Sequence, residues 1–287
     1  MKNLFVIFSL IPFISFSQTE KSLLWRVTGP SSKHVSYLFG TMHTSDSLLN
    51  SFDRSWWKAF NSCDAFAGEV NMTDATEMMA SLSVSMMKDS TLADFYTKEE
   101  LARVTSAINK RLDPMTATMV FKMKPFFIMA SLMEMPEEGS PLEIMDIHLQ
   151  MTAADSGKMV VGLETMKEQA ESVGVVSLRE QAALLLDYID NGDSMTAQVE
   201  RMEKQYLMQD LEALAKTEAQ FEVPDELMSS LLDDRNMRFL ENLLPLLSQK
   251  SVFCAVGALH LAGKTGLITQ LRDAGYTVVP VQFRFNQ

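Results

Sequence analysis

The chain predicts an α/β fold, more closely an α+β arrangement: a small central mixed β-sheet with chemical groups at its strand ends and two long helical insertions. Three observations carry this. Short β-rich runs occur near both ends and in the middle of the sequence. Between them, over 74–150 and 176–247, apolar residues recur every three or four positions, the period of an amphipathic helix. Four of the β-rich runs close on a glycine that is followed within three residues by histidine or glutamate.

The elements follow in order. "MKNLFVIFSLIPFISFSQTEK" places one early lysine before an apolar stretch and then small polar residues, the anatomy of a secretory signal peptide. Residues 1–17 are read as that signal, leaving 18–287 as a single exported domain, periplasmic or extracellular, with no stable membrane anchor after cleavage. Trp25–Val27 and Val35–Phe39 flank a Gly-Pro-Ser-Ser turn and read as a hairpin. "CDAFAGEVNM" is a short strand ending at Glu69. Pro114, Pro125, Pro136 and Pro141 divide the first helical stretch into several helices. Met159–Leu163 is a further strand, ending at Glu164, and the second helical stretch breaks near Val223–Pro224. "SVFCAVGALHLAGKTGLITQLRDAGYTVVPVQF" reads as strand, glycine turn, helix and strand.

Composition limits the partners. Against 25 basic residues stand 37 acidic ones, a net charge of −12; nucleic acids and anionic membranes call for the opposite balance. Acidity alone names no partner, and the oligomeric state stays open. Cys63 and Cys254 are the only cysteines, each in or beside a strand-like run, and are expected to be buried free thiols rather than a bridge. The 22 methionines fall mostly at helical spacing and are expected to pack in cores, with a methionine-lined peptide groove as the alternative.

The strand ends carry the chemistry. His43 follows Gly40, Glu69 follows Gly68, Glu164 follows Gly162 and His260 follows Gly257. In α/β sheets ligands bind outside the carboxyl ends of the strands, so side chains leaving those ends can converge. A glycine there permits a left-handed turn or a close backbone approach. Two neutral imidazoles with one or two carboxylates make a divalent-metal site with open positions for water and substrate. The chain lacks HExxH, so this is not the arrangement with both histidines on one helix.

"YLFGTMH", the strand ending in Glu69, "GLETMKEQ" and "VGALHLAGKTGLITQLRDAGYTV" together resemble the TraB/PrgY/GumN family, which includes the Tiki proteases. The resemblance spans essentially all of the mature chain. It implies a metal-dependent peptidase centre on two GxxH motifs and a glutamate, which carry onto His43, His260 and Glu69. The metal would be divalent, with Mn, Co and Zn all compatible. The resemblance also gives functional weight to Asp146, Glu164, Gln169, Arg235 and Asn236. Animal Tiki proteins are membrane-tethered, whereas no such anchor is expected in this chain, and the resemblance implies a peptide or protein substrate.

Within that frame Glu69 is a ligand or general base, and Glu164 is a second candidate for both roles. Arg235 either stabilises developing negative charge or holds a carboxylate; Asn236 and Gln169 orient it. His148 lies two residues from Asp146, off its helical face, and is left out. Two other functions stay open, of which the first keeps the same residues. One is a metal-independent, esterase-like hydrolase with His43 as base, although no G-x-S-x-G elbow is present. The other is a non-catalytic peptide-binding protein.

Overall fold

The computed structural model describes residues 21–30, 33–42, 51–112, 114–134 and 144–286. The signal reading, His43, Pro136 and Pro141 fall outside them. Six strands form one mixed sheet: β1 (Leu24–Thr28), β2 (Val35–Thr41), β3 (Ala65–Gly68), β4 (Met159–Gly162), β5 (Val252–Gly257) and β6 (Thr277–Pro280), in the order β4-β3-β5-β2-β1-β6. β1 pairs antiparallel with β2 and with β6. The β2–β5, β5–β3 and β3–β4 pairs are all parallel, so the carboxyl ends of these four strands share one edge of the sheet. Thr41 lies opposite Gly257 and Gly68 opposite Gly162.

The parallel strands are nearly continuous apolar runs because the central sheet is covered on both faces. Phe253 on β5, Phe66 on β3 and Phe39 on β2 are fully buried, and Trp56 and Phe60 of the helix Arg54–Asn61 pack onto them. Asp53 caps that helix by accepting from the backbone N–H groups of Ser55 and Trp56. The helix Arg235–Gln249 buries Arg235, Asn236, Phe239, Leu243 and Leu247, one face that turns its N-terminal end to the strand-end edge. The helical insertions carry a second apolar cluster, with Val104, Ile108, Ile128, Leu132 and Leu185 at its centre.

One expectation needs correction and another is narrowed to one of its alternatives. Many methionines are not core: Met78, Met79, Met119 and Met237 are all more than half exposed. Helical spacing marks a face but does not say whether anything covers it. The strand-end glycines, for their part, make no left-handed turns. Positive φ among the described glycines occurs only at Gly157, Gly263 and Gly275. Close approach is their role: a Cβ on Gly40 would stand 2.9 Å from the Cα of Ala258. Gly40→Ala is therefore expected to cost about 1–3 kcal/mol through overpacking. A thermal melt indistinguishable from wild type would show that the contact relaxes freely.

Cys63 and Cys254 are buried free thiols, as the sequence suggests. Burial pushes the Cys63 thiol up to about 12 and raises that of Cys254 further. Because the thiolate is the reactive form, the folded protein is expected to resist a maleimide at pH 8 and to take up two equivalents in denaturant. Rapid labelling without denaturant would contradict this burial.

Candidate functional site

The strand edge gathers Glu69, Glu164, Arg235 and His260 into one buried cluster. Glu69 directly follows β3, and the backbone N–H of Glu164 donates to the carbonyl of Glu69 at 2.9 Å, prolonging the β3–β4 pairing past the glycines. His260 sits on a 3₁₀ turn, Ala258–Leu261, directly after β5. Arg235 comes from the opposite side. It follows a π-helical turn, Ser230–Asp234, that opens into the helix Arg235–Gln249. A π turn inserts a residue into the helical register and is common at functional sites; here both Arg235 and the adjacent Asn236 face inward.

Arg235 is the hub. Its Nε donates to Glu164 Oε1 at 2.8 Å, and its Nη2 reaches Glu69 Oε2 and Glu164 Oε1, each at 2.6 Å. Its Nη1 donates to the Leu231 carbonyl and meets His260 Nε2, both at 3.3 Å. A guanidinium has five N–H groups, and Nε, Nη1 and Nη2 are all engaged by these contacts. Of the two roles open to Arg235, this geometry favours holding carboxylates over binding an oxyanion. Glu164 also accepts from Arg238 Nη1 at 2.5 Å, and its side chain is 0% exposed. Burial raises the Glu164 carboxyl above its ordinary value, with the two arginines pulling against it. Burial likewise works against the Arg235 cation, but Glu69 and Glu164 outweigh it and raise its pKa.

The His260 tautomer follows from its neighbours. The Thr265 carbonyl can only accept, and Asn236 Nδ2 donates to it at 3.0 Å. Asn236 Oδ1 therefore faces the ring and stands 2.8 Å from His260 Nδ1. Nδ1 carries the proton, which in the neutral ring leaves the Nε2 lone pair directed at Arg235 and, 3.7 Å away, at Glu69 Oε1. Glu69 Oε1 also accepts from the Gly257 backbone N–H at 2.8 Å, and Gln169 Nε2 donates to Oε2 at 3.4 Å. Asn236→Asp is expected to place a negative charge beside Nδ1 and so to favour the doubly protonated ring, while its second oxygen, in the place of Nδ2, loses the bond to the Thr265 carbonyl. The pH–activity profile should then move to higher pH while folding persists; an unmoved profile would reduce Asn236 to a packing residue.

The structure thus brings together Glu69, Glu164, Gln169, Arg235, Asn236 and His260. Asp146 joins from the rim: it accepts from Thr41 Oγ1 at 2.7 Å, at the end of β2. His43, two residues further on, lies outside the described residues. Among the described residues no group of three His, Cys, Asp or Glu side chains could hold a metal ion. The donors present do suit one in kind: a neutral imidazole nitrogen and a carboxylate oxygen, 3.7 Å apart. They flank a cavity of about 250 Å³ that Thr41, Met42 and Arg235 also line. Larger clefts lie beside Lys21 and Lys216, where Leu261 and Ala262 after the His260 turn also line the wall, and between the helices bearing Arg103 and Tyr188; Glu69, Arg235 and His260 line neither.

Several participants escaped the sequence reading. Arg238 is three residues after Arg235, so the helical repeat could have marked it as a second cation on the same face. Tyr206 is fully buried and donates to the Gly40 carbonyl at 2.8 Å. Gln150 donates to the Val70 carbonyl and accepts from the Met72 N–H, bracing the segment after Glu69. Neither carries a sequence signal, because each acts through a backbone group far away in the chain.

The sequence model of the TraB/PrgY/gumN family matches residues 23–280, from just before β1 to the end of β6. No curated protein and no solved structure matches the chain.

Proposed function

The chain belongs to the TraB/PrgY/gumN family, and from that premise we propose that it is an exported, metal-dependent hydrolase, a peptidase, centred on His43, Glu69 and His260. The observation that carries the reading is the pair of donor atoms His260 Nε2 and Glu69 Oε1, 3.7 Å apart on one cavity. Two ligands of one tetrahedral ion, each at about 2.1 Å, stand roughly 3.4 Å apart, so a small closure suits the pair to a common ion. His43 follows the last residue of β2 by two positions in the sequence and is the proposed third donor.

A divalent ion bound there supplies Lewis acidity towards the scissile carbonyl and lowers the pKa of water. The chain's own groups do the rest. Asn236 keeps His260 Nε2 free of a proton, as a ligand must be. Gly257 and Arg235 fix the two oxygens of Glu69, so that Oε1 is presented towards His260 as a carboxylate able to hold an ion or to take a proton from water. Glu164 and Arg238 hold Arg235 from behind. Export rests on the lysine-then-apolar start of the sequence; among the described residues no helix is long and apolar enough to cross a membrane.

One observation favours a second, metal-independent reading: Arg235 Nη1 already stands 3.3 Å from His260 Nε2, on the lone pair a metal would use. In that case His43 is the base and Glu69 orients it. Metal analysis of protein purified without chelator, together with cleavage of a peptide library, decides between them. Stoichiometric Mn, Co or Zn with chelator-sensitive cleavage is the expected result. Undiminished cleavage by metal-free protein would favour the second reading, and no cleavage at all would remove both.

A further inference from the structure

The cavity beside Glu69 and His260 has a mixed lining. Glu69, Arg235, His260 and Thr41 are its polar side chains, Thr41 giving its hydroxyl to Asp146, and Met42, Met202, Leu232 and Leu259 contribute apolar wall. Tyr206 also reaches it, but its hydroxyl is already given to the Gly40 carbonyl. We propose that this cavity is a side-chain subsite that selects an uncharged aliphatic residue of leucine or methionine size next to the bond to be cleaved. The proposal rests on the hydrolase reading for the word "cleaved" and on the cavity alone for the selectivity.

Three features lead to that class. The apolar wall rewards burial of an aliphatic chain in proportion to its area. The charged side chains that line the cavity are engaged within the fold. Arg235 gives Nε, Nη1 and Nη2 to Glu164, Leu231, His260 and Glu69. Glu69 Oε1 takes the Gly257 N–H, and Oε2 takes Arg235 and Gln169. A charged substrate side chain lying against the apolar wall would therefore lose its hydration with no protein side chain offered there as its counter-ion, which is costly. Size and shape complete the case. A dry cavity of about 150 Å³ in another protein holds a benzene molecule, so about 250 Å³ accommodates a four-heavy-atom chain. Met42 and Met202 are unbranched and adjust to fit, so leucine and methionine should both be accepted.

The test uses the full mature chain and blocked pentapeptides, acetyl-Ala-Ala-Xaa-Ala-Ala-amide, with Xaa as Leu, Met, Ala, Asp or Lys. Binding is read by calorimetry and cleavage by mass spectrometry. The Leu and Met peptides should bind on the order of 30-fold more tightly than the Ala peptide, and the Asp and Lys peptides should bind more weakly still. Met202→Trp, which fills the cavity, should erase the preference for leucine. Leu232→Ala, which enlarges it, serves the same purpose if the first variant does not fold, by weakening the Leu peptide alone. Leu-selective binding without cleavage keeps the subsite and removes the hydrolase. Cleavage with equal preference for Leu and Asp keeps the hydrolase and overturns the subsite. So does a leucine preference that survives in a folded cavity variant, or the absence of binding by every peptide.

Discussion

Alanine at His43 or at His260 is expected to lower peptide hydrolysis by on the order of 1,000-fold, with an equal loss of bound metal, and the double variant should fall little further. Residues that act as one unit are strongly non-additive, and removing one of three ligands destroys affinity and geometry together. His260 is the more informative position because its surroundings are described: its ring is buried between Phe239, with centroids 5.0 Å apart, and the Asn236 contact. His260→Gln retains polarity and much of the volume, so it separates lost ligation from lost packing. Metal affinity should also fall with decreasing pH through the ordinary histidine range, because a protonated imidazole cannot ligate. Full metal occupancy in either single variant would sink the shared site and leave two independent strand-end histidines. Glu69→Gln sharpens the assignment further. As a base, Glu69 would be lost with the metal retained; as a ligand, it would take the metal with it.

The second large effect is on stability. Arg235→Met is expected to cost about 3–5 kcal/mol, the usual penalty for removing one partner of a buried ion pair. Of a total stability of about 5–15 kcal/mol that is a substantial part. The variant leaves the Glu164 carboxylate, at 0% exposure, with Arg238 alone, and strips Glu69 Oε2 of its ion-pair partner. Glu164→Gln should cost less, because burial already raises the Glu164 pKa, so its charge is carried in the fold at a penalty. The native carboxyl binds its proton more tightly than the unfolded chain, which titrates near 4.5. Stability from this group is thus full below that value and declines as pH rises through the native pKa. Urea denaturation across pH, comparing wild type with Glu164→Gln, isolates the trend: wild type should lose stability relative to the variant as pH rises. A difference that grows in the opposite sense would mean that the arginines over-compensate burial. Arg235→Met within 1 kcal/mol of wild type would mean that the cluster is not a structural clamp.

How much of this was legible beforehand depended on range. Strand runs such as "SYLFGT" and "VFCAVG" declare themselves by local composition, and the glycine-then-polar endings marked His260, Glu69 and Glu164 as a set. The hairpin of β1 and β2, the break at Val223–Pro224 and the final strand–turn–helix–strand order are likewise local signals, and all are present in the structure. The methionine-rich helices were misjudged because periodicity defines a face without naming its partner: Met79 is 74% exposed, whereas Met145 is fully buried.

The sequence by itself determined the element types, the two helical insertions and the residue kinds at the strand ends, because backbone propensity and hydrophobic period act over a few neighbouring residues. Only the tertiary structure decided that β2, β3, β4 and β5 run parallel and adjacent, so that their four endings share one edge. It alone decided that Arg235, delivered by a π turn at a sequence distance of 166 residues from Glu69, is held between the Glu69 and Glu164 carboxylates, the Leu231 carbonyl and His260. It alone decided that Thr265, through Asn236, sets the His260 tautomer. These outcomes depend on angstrom-scale distances between groups far apart in the chain, and such distances exist only once strand order and helix packing have closed the sheet.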